Sequence, residues 1–422
     1  MFKNINCKNL PSLRRNIVYQ FLYELLIVFI PLFTIPYVSR VLGAENIGLF
    51  SYTYAVANYF VLFANLGIKN YGSRTIAMVR NNKEELNRNF SEILSIHIIF
   101  SIIVIFVYLV LLFFFVEDNL VIFLIQSIYV FAAVFDINWF FFGIEKFKLT
   151  VGRNTLVKIL SVFLVLVFVK TQTDLWIYAL ILALSVFVGQ SVVWFALKQY
   201  VSWRRPSWAN MKQHIRPLFV LFLPILALSL YKYMDKIMLG SISSNVQVGF
   251  YENAEKIINV PMSLIMAFGV VLMPRIANMV TSKDKGEVFK LIDMSMEAVM
   301  LLAIAISFGL AGISFVLAPI FFGYEFEECG ILIMGLAVTV PFMAFANVIR
   351  TQYLIPYKED KIFVVSLFLG AAVNLIVNII LIPYMAARGA VIGTIFAEII
   401  VCIYQSYFVR KKIFIKKYRS EE

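Results

Sequence analysis

The sequence predicts an all-α integral membrane protein in which twelve transmembrane helices form two six-helix bundles. The first reason is composition: 61% of the residues are hydrophobic and only 15% are charged, which is too little charge for the surface of a soluble domain. The second is that apolar runs of about twenty residues recur along the chain, each long enough to cross a bilayer as a helix. The third is an internal repeat.

The twelve apolar runs are separated by short loops, none of which is long enough to fold as a domain. Their predicted boundaries are 16–39, 46–67, 89–115, 119–142, 149–170, 175–198, 216–240, 247–270, 288–318, 330–352, 361–383 and 389–409. The first run follows basic residues and has no small-residue cleavage site, so we interpret it as a retained span. Six runs fall in each half, which predicts an N-terminal bundle at 1–205 and a C-terminal bundle at 206–422.

The repeat begins in residues 39–56, SRVLGAENIGLFSYTYAV, and returns in residues 236–257, KIMLGSISSNVQVGFYENAEKI. In both copies an apolar run ends in Leu-Gly, a short polar loop follows, and a glycine, Gly48 or Gly249, opens the next apolar run. These two glycines are 201 residues apart, and a second match further along the chain keeps that spacing. Duplicated halves with an even number of spans predict a pseudo-two-fold axis along the membrane normal, and they are typical of transporters whose site lies between the halves.

Basic residues alternate between the two sides of the predicted membrane. About thirty Lys and Arg fall in one set of loops and in the two termini, whereas the other set of loops holds only Arg40, Lys170 and Arg388. Because basic loops stay in the cytoplasm, both termini are predicted to be cytoplasmic. The same distribution explains the formal net charge of +12 without a nucleic-acid partner.

Other classes of protein lack their expected features in this sequence. Cys7, Cys329 and Cys402 are too few and too scattered for a disulfide framework or a metal site, and no nucleotide-binding motif such as a P-loop is present. A membrane enzyme such as a polymerase or a glycosyltransferase is expected to carry a large extracytoplasmic loop or a clustered acidic active site, and neither occurs. The sequence therefore predicts a protein without enzymatic activity, cofactor or bound metal.

Several stretches of the chain together resemble one known family. They are SRVLGAENIGLFSY, LGIKNYGSR, DINWFFFGIEKFK at 136–148, MDKIMLGS with VGFYENAEKI, and NIILIPYMAARGAVIGTIFAEII at 378–400. The resemblance is to the Wzx-type polysaccharide-unit flippases, the O-antigen or capsule transporters of bacterial inner membranes, which belong to the superfamily that includes the MATE drug exporters. It covers nearly the whole chain, and one departure is Phe142, where such proteins often have Gln.

The resemblance implies a MATE-like fold and a transport activity. The substrate implied is an undecaprenyl-diphosphate-linked oligosaccharide, moved from the cytoplasmic to the periplasmic leaflet by alternating access for O-antigen or capsule synthesis. The partners implied are the lipid-linked substrate, the lipid bilayer, and the polysaccharide polymerase and chain-length regulator of the same polymer. The alternative within the same fold is an ion-coupled multidrug exporter.

Charged residues inside the predicted spans are the first candidates for a site, because intramembrane charge is expensive and marks function. Lys232 and Lys236 lie four residues apart in the seventh span and so share a helix face, with Asp235 beside them. They form either a cationic wall for a diphosphate or a local ion pair with a lysine that reaches outward to water. Asp136, in the fourth span one turn from Trp139, either binds sugar hydroxyls or a cation, or hydrogen bonds to another helix.

Four further residues complete the candidate set. Arg40, at the end of the first span, either meets a phosphate that leaves the site or pairs with Glu45. Arg74 and Arg275 occupy equivalent positions of the repeat on the cytoplasmic side, where they either grip anionic head groups or only fix the topology. Glu24, about 15 Å into the first span, is either a proton-coupling carboxylate or a partner of another charge.

Overall fold

The computed structural model describes residues 10–281 and 285–418, and in this part of the chain every regular element is helical. The α-helices are α1 (Leu10–Asn65), α2 (Ile68–Val79), α3 (Lys83–Phe115), α4 (Leu120–Val134), α5 (Asn138–Gly143), α6 (Phe147–Phe168), α7 (Leu175–Leu197), α8 (Trp208–Ile242), α9 (Asn245–Thr281), α10 (Lys285–Phe322), α11 (Cys329–Ala337), α12 (Thr339–Val348), α13 (Asp360–Met385) and α14 (Ala387–Tyr418). A π-helical segment, Ile349–Leu354, follows α12, and short 3-10 helices lie at Gln172–Asp174 and Tyr324–Phe326.

These helices follow from the apolar runs, because a segment in lipid has to satisfy its backbone hydrogen bonds internally. Among the described residues, eleven helical stretches are long and apolar enough to cross a membrane. The first of them, Phe33–Val79, covers the end of the first predicted span and the whole of the second, since α1 continues through the loop predicted between them. The helix is interrupted there at Gly43, whose φ of 77° is readily adopted by glycine and strained for other residues. The predicted loop is therefore a kink inside α1.

The chain divides into two compact units, and α8 contributes residues to both. Unit 1 contains the described residues up to Leu42 together with Thr53–Ile225, and unit 2 contains Gly43–Tyr52 together with the described residues from Leu226 onward. The first half of α8 thus belongs to unit 1, and a short part of α1 belongs to unit 2. The predicted bundle boundary at residue 205 stays a prediction.

Within unit 2, the two copies of the repeat lie against each other at their glycines. A Cβ atom on Gly48 would lie 1.6 Å from the carbonyl oxygen of Asn245. A Cβ atom on Gly249 would lie 2.1 Å from the carbonyl oxygen of Ala44. The two contacts are equivalent, because Ala44 and Asn245 are also 201 residues apart and so occupy the same position in the two copies. Only glycine lets two backbones approach this closely, as at small-residue crossings between membrane helices.

Two further contacts hold this part of α1 in unit 2. The backbone amide of Ala44, next to the break at Gly43, donates a hydrogen bond of 2.8 Å to Oε1 of Glu325. On the other side of the crossing, the ring of Tyr52 covers Gly240, where an added Cβ would lie 2.3 Å from ring atom Cδ2. The segment Gly43–Tyr52 of α1 is therefore fixed by residues that come much later in the chain.

Unit 1 holds a buried polar cluster that no sequence motif indicates. Glu92, in α3, is 1% exposed, and its Oε2 atom lies 3.0 Å from Nε2 of His214 near the start of α8. Its other carboxylate oxygen accepts a hydrogen bond of 3.0 Å from Nδ2 of Asn210. The Nδ1 atom of His214 lies 2.6 Å from the hydroxyl of Tyr71. The cluster ties the first turns of α8 to α2 and α3.

Replacing His214 should destabilise unit 1. The variant His214→Leu removes one partner of the buried Glu92 carboxylate, and leaving a buried polar group unsatisfied costs about 1–3 kcal/mol. We expect a lower melting temperature of the detergent-solubilised protein. His97→Leu is the matched control, because both ring nitrogens of buried His97 lack a hydrogen-bond partner among the described residues. Equal melting temperatures for the two variants would contradict the prediction.

Candidate functional site

The turn from α8 into α9 brings two charged residues into the interior of unit 2. Asp235 and Lys236 lie in the second half of α8, and both are buried. The first turns of α9 carry Tyr251, Glu252 and Glu255, whose side chains meet them. Although Asp235 and Lys236 are adjacent in sequence, each has its own set of partners.

Asp235 accepts three hydrogen bonds from other helices. Its Oδ2 atom accepts from the Tyr251 hydroxyl at 2.6 Å and from the Thr394 hydroxyl at 2.9 Å. Its Oδ1 atom accepts from Nδ2 of Asn378 at 2.5 Å, and the same Nδ2 also donates to Oδ1 of Asn374 at 3.1 Å. These five residues, the Asp235 cluster, tie α8 to α9, α13 and α14.

The Asp235 cluster combines one carboxylate with amide and hydroxyl groups, whose oxygen atoms are the donor type that hard cations bind. Its three hydrogen-bond donors already compensate the carboxylate, which a buried charge needs. No group of three or more His, Cys, Asp or Glu side chains that could hold a metal ion occurs among the described residues. The cluster therefore acts in this structure as a polar connection between four helices.

Lys236 is neutralised by acidic residues of α9. Its Nζ atom lies 2.5 Å from Oε2 of Glu252 and 2.8 Å from Oε2 of Glu255. One turn further along α9, Lys256 lies 3.2 Å from the other carboxylate oxygen of Glu252. Two cations thus face two carboxylates, so this group has no net charge left with which to attract an anion.

Lys232 lies outside that group, whereas Lys236 forms the local ion pair that the sequence left open as the alternative to a cationic wall. The side chain of Lys232 is exposed, and its Nζ atom lies 5.2 Å from the centre of the Tyr233 ring. Residues four apart differ in direction by about 40° around a helix. Glu252 and Glu255 bind only the second of these lysines, Lys236. Of the two lysines, Lys232 is the one that presents an accessible charge.

Asp136 lies in a break between α4 and α5, so the predicted span at 119–142 contains two helices instead of one. Its Oδ1 atom accepts hydrogen bonds from the backbone nitrogen of Asn138 at 3.0 Å and from Nδ2 of the same residue at 2.7 Å. Such local bonds compete with helical ones, which is why Asp favours turns. The side-chain oxygen of Asn138 in turn accepts from Nη2 of Arg153 at 3.0 Å, which connects Asp136 to α6.

The aromatic block that follows this break is packed inside unit 1. Trp139 stacks on Phe90 of α3, with ring centres 5.6 Å apart. It also lies so close to Gly72 of α2 that a Cβ atom there would be 2.5 Å from ring atom Cε3. The two phenylalanines after Trp139 are fully buried. This part of the block therefore packs α5 onto α2 and α3.

The remaining predicted residues are not among the hydrogen-bond or ion-pair partners found for Asp235 and Lys236 in the described part of the chain. Arg40, Arg74 and Arg275 are exposed on α1, α2 and α9. Glu24 lies in α1, and its side chain falls outside the described ones. The functional roles of all these residues stay predictions.

The fold and these clusters define the class of the protein: a multi-pass helical membrane protein of two compact units whose buried charges are held by hydrogen bonds and ion pairs. Residues 13–280 match the sequence profile of the family described as polysaccharide biosynthesis protein. The chain belongs to this family. It is 26% identical over 409 residues to a candidate O-antigen transporter of Escherichia coli (strain K12), a match that covers 95% of this chain and 98% of the relative.

Two solved structures are similar to this chain over almost its whole length. The lipid II flippase MurJ in an inward closed conformation has a TM-score of 0.73 at 15% identity, covering 94% of this chain and 87% of that chain. An inward-facing multidrug resistance MATE family transporter of the MOP superfamily has a TM-score of 0.70 at 14% identity, covering 94% and 99%. At such identities the likeness shows the fold alone. The predicted all-α, MATE-like membrane fold of two helical bundles is confirmed.

Proposed function

We propose that the protein moves an undecaprenyl-diphosphate-linked oligosaccharide repeat unit from the cytoplasmic to the periplasmic leaflet by alternating access, for O-antigen or capsule synthesis. The observation that carries the proposal is the full-length similarity to a candidate O-antigen transporter, which covers 95% of this chain and 98% of the relative. Membership of the polysaccharide biosynthesis family supports it. The fold also fits, since a protein named a lipid II flippase has it.

Moving this substrate requires accessible cations for the diphosphate and polar or aromatic groups for the sugars. We assign the cationic role to Lys232, Arg40, Arg74 and Arg275, because all four side chains are exposed. Asp136, half-buried next to the aromatic block, is the candidate for sugar hydroxyls.

Asp235 and Lys236 have a supporting role in this proposal. Both are occupied by neighbouring side chains, and they fix the second half of α8 against α9. That anchoring positions Lys232, which lies one turn earlier on the same helix. Glu24 of α1 remains the proposed coupling carboxylate.

We further propose a bacterial inner-membrane location with both termini in the cytoplasm, because the basic loops gather on one side of the sequence-derived topology. The protein acts as a carrier and not as an enzyme. Its immediate partners are the lipid-linked oligosaccharide and the bilayer. A polysaccharide polymerase and a chain-length regulator use the unit after transport.

A multidrug exporter is the second candidate function. The observation that favours it is the fold shared with the MATE transporter, at a TM-score of 0.70 over 99% of that chain. The exporter is the weaker candidate, because the candidate O-antigen transporter is 26% identical to this chain over almost its full length, whereas the MATE transporter is 14% identical.

Deleting the gene in a polysaccharide-producing host separates the two functions. We expect deletion to trap lipid-linked repeat units on the cytoplasmic face and to remove surface polymer, and expression of the chain to restore it, measured by immunoblotting of the cell-surface glycan. Surface polymer that persists after deletion, together with raised sensitivity to cationic dyes, would contradict the flippase and favour the exporter.

A further inference from the structure

Lys158 is an accessible charge at the centre of a membrane-spanning helix. It lies midway along α6, between Phe147 and Phe168, about 15 Å from either end. A lysine side chain is too short to carry its charge from that depth to the membrane surface. Intramembrane charges of this kind are paired inside the protein or line a water-filled path.

One face of α6 is made of exposed apolar side chains. They keep the i, i+3, i+4, i+7 spacing of a single helix face: Leu156 at 66% exposure, Ile159 at 51%, Leu160 at 50% and Phe163 at 59%. This face suits contact with lipid. Lys158 is two residues from both Leu156 and Leu160, which places it about 200° around the helix from each, in opposite directions. It therefore lies on the face of α6 that points away from lipid.

The face of Lys158 carries polar side chains together with Val162 and Val165, and it is otherwise mostly covered by protein. Asn154 and Thr155, one turn before Lys158, are half-buried, and Ser161, one turn after it, is buried. Lys158 itself is exposed. Its ammonium group therefore reaches accessible space on the protein side of α6.

Unlike Lys236, Lys158 has no carboxylate partner in the part of the chain that the structure describes. None of the ion pairs among the described residues includes Lys158. An accessible cation that has no counter-ion among the described residues is suited at this depth to binding an anion, since the ammonium group offers three hydrogen-bond donors.

Asn154 adds a second donor on the same face. Its side-chain oxygen accepts a hydrogen bond of 3.1 Å from Nε of Arg153. Because an amide oxygen accepts and an amide nitrogen donates, this bond leaves the nitrogen of Asn154 available as a donor. Asn154 and Lys158 are four residues apart and so lie next to each other along the helix.

We propose that Lys158, together with the amide nitrogen of Asn154, binds the diphosphate of the substrate on the protein side of α6. The anion is identified by the proposed function, on which this inference rests. The position of the binding group comes from the geometry of α6 alone. Lys158 adds a positively charged contact within the membrane to Arg40 and Arg74 of the same unit, and Asn154 is the neutral donor that orients the phosphate beside it.

Binding of a short polyprenyl diphosphate tests the ligand. Purified full-length protein in detergent is titrated with farnesyl diphosphate, and the Kd is measured by calorimetry. We expect Lys158→Ala to raise the Kd by about tenfold or more and Lys158→Arg to change it by less than about threefold, because arginine keeps the charge. Farnesol, which lacks the diphosphate, should bind all variants alike.

Lys170→Ala is the matched control, since it removes a second lysine close to the end of α6. The amine of Lys170 is exposed and donates to the backbone carbonyl of Leu166, so we expect its loss to leave the Kd unchanged. A Lys158→Ala protein that binds farnesyl diphosphate as tightly as the wild type would overturn the inference. The proposed function would still stand in that case, because the deletion experiment tests it separately.

Thiol labelling tests the accessible face without a ligand. A charged, water-soluble methanethiosulfonate should label Lys158→Cys and spare Leu160→Cys when the protein is reconstituted in lipid vesicles. Of the three native cysteines, Cys329 and Cys402 are buried, and comparison of each variant with the unsubstituted chain accounts for any labelling of Cys7. Absent labelling at position 158, or equal labelling at both positions, would overturn the inference.

Discussion

Gly48→Ala should prevent the two copies of the repeat from packing and so deplete stable protein from the membrane. The added Cβ atom would lie 1.6 Å from the carbonyl oxygen of Asn245, and a backbone atom cannot turn aside as the end of a flexible side chain can. Overpacking costs about 1–3 kcal/mol where neighbours adjust, and occasionally more. We expect an effect at or above that range, measured as membrane abundance and as the melting temperature of the solubilised protein.

The glycine crossing offers a matched control and an independent repeat of the test. Gly309→Ala, in α10 of the same unit, adds a Cβ atom that meets no atom within 4 Å, so its melting temperature should be unchanged or slightly raised. Gly249→Ala should reproduce the loss, because its Cβ would lie 2.1 Å from the carbonyl oxygen of Ala44. If Gly48→Ala melts at the temperature of Gly309→Ala, the close approach of the two segments is refuted.

Lys236→Met should be the most destabilising single change among the buried charges of unit 2. It leaves Glu252 and Glu255, both mostly buried, without the ammonium group that lies 2.5 Å and 2.8 Å from their carboxylate oxygens. Removing one partner of a buried ion pair costs about 3–5 kcal/mol, because an uncompensated charge remains. We expect a marked fall in melting temperature and in membrane abundance.

A compensated variant separates electrostatics from packing. Lys236→Met combined with Glu252→Gln and Glu255→Gln removes three of the four charges of this group and leaves only the partly exposed Lys256. Replacing a buried ion pair by neutral side chains is often close to neutral in stability. Most of the lost stability should return. Lys361→Met, which removes an exposed lysine of α13, controls for the loss of one positive charge and should melt as the wild type does. The interpretation fails if the triple variant is no more stable than Lys236→Met alone.

The features that the sequence predicts well are the ones set by local pattern. Apolar runs predict the long helices because lipid leaves a segment no other way to satisfy its backbone. The spacing of 201 residues between Gly48 and Gly249 predicts a repeat, and the structure shows what the glycines are for, since each sits against the backbone of the other copy. The apolar runs and the repeat spacing can both be recognised in the sequence without knowledge of tertiary contacts.

The features that the sequence does not predict depend on partners far away in the chain. Glu92 and His214 meet across 122 residues, and no spacing in the sequence indicates that pair. Lys236 is buried because two acids of the next helix face it, whereas its neighbour Lys232 stays exposed. Lys158 can be found from the sequence, because it is a lysine midway along the predicted span at 149–170. It is missed when basic residues are assigned only to loops.

Because Gly43–Tyr52 belongs to unit 2, this part of α1 cannot reach its final contacts until much more of the chain has been synthesised. This stretch leaves the ribosome about two hundred residues before Asn245, its contact in the glycine crossing. At about 5–20 residues per second, translation takes on the order of ten seconds or more to supply that contact. During insertion, the nascent N-terminal half therefore contains Gly43–Tyr52 without the later residues that this segment contacts. The segment reaches its final position only after the C-terminal half has entered the bilayer.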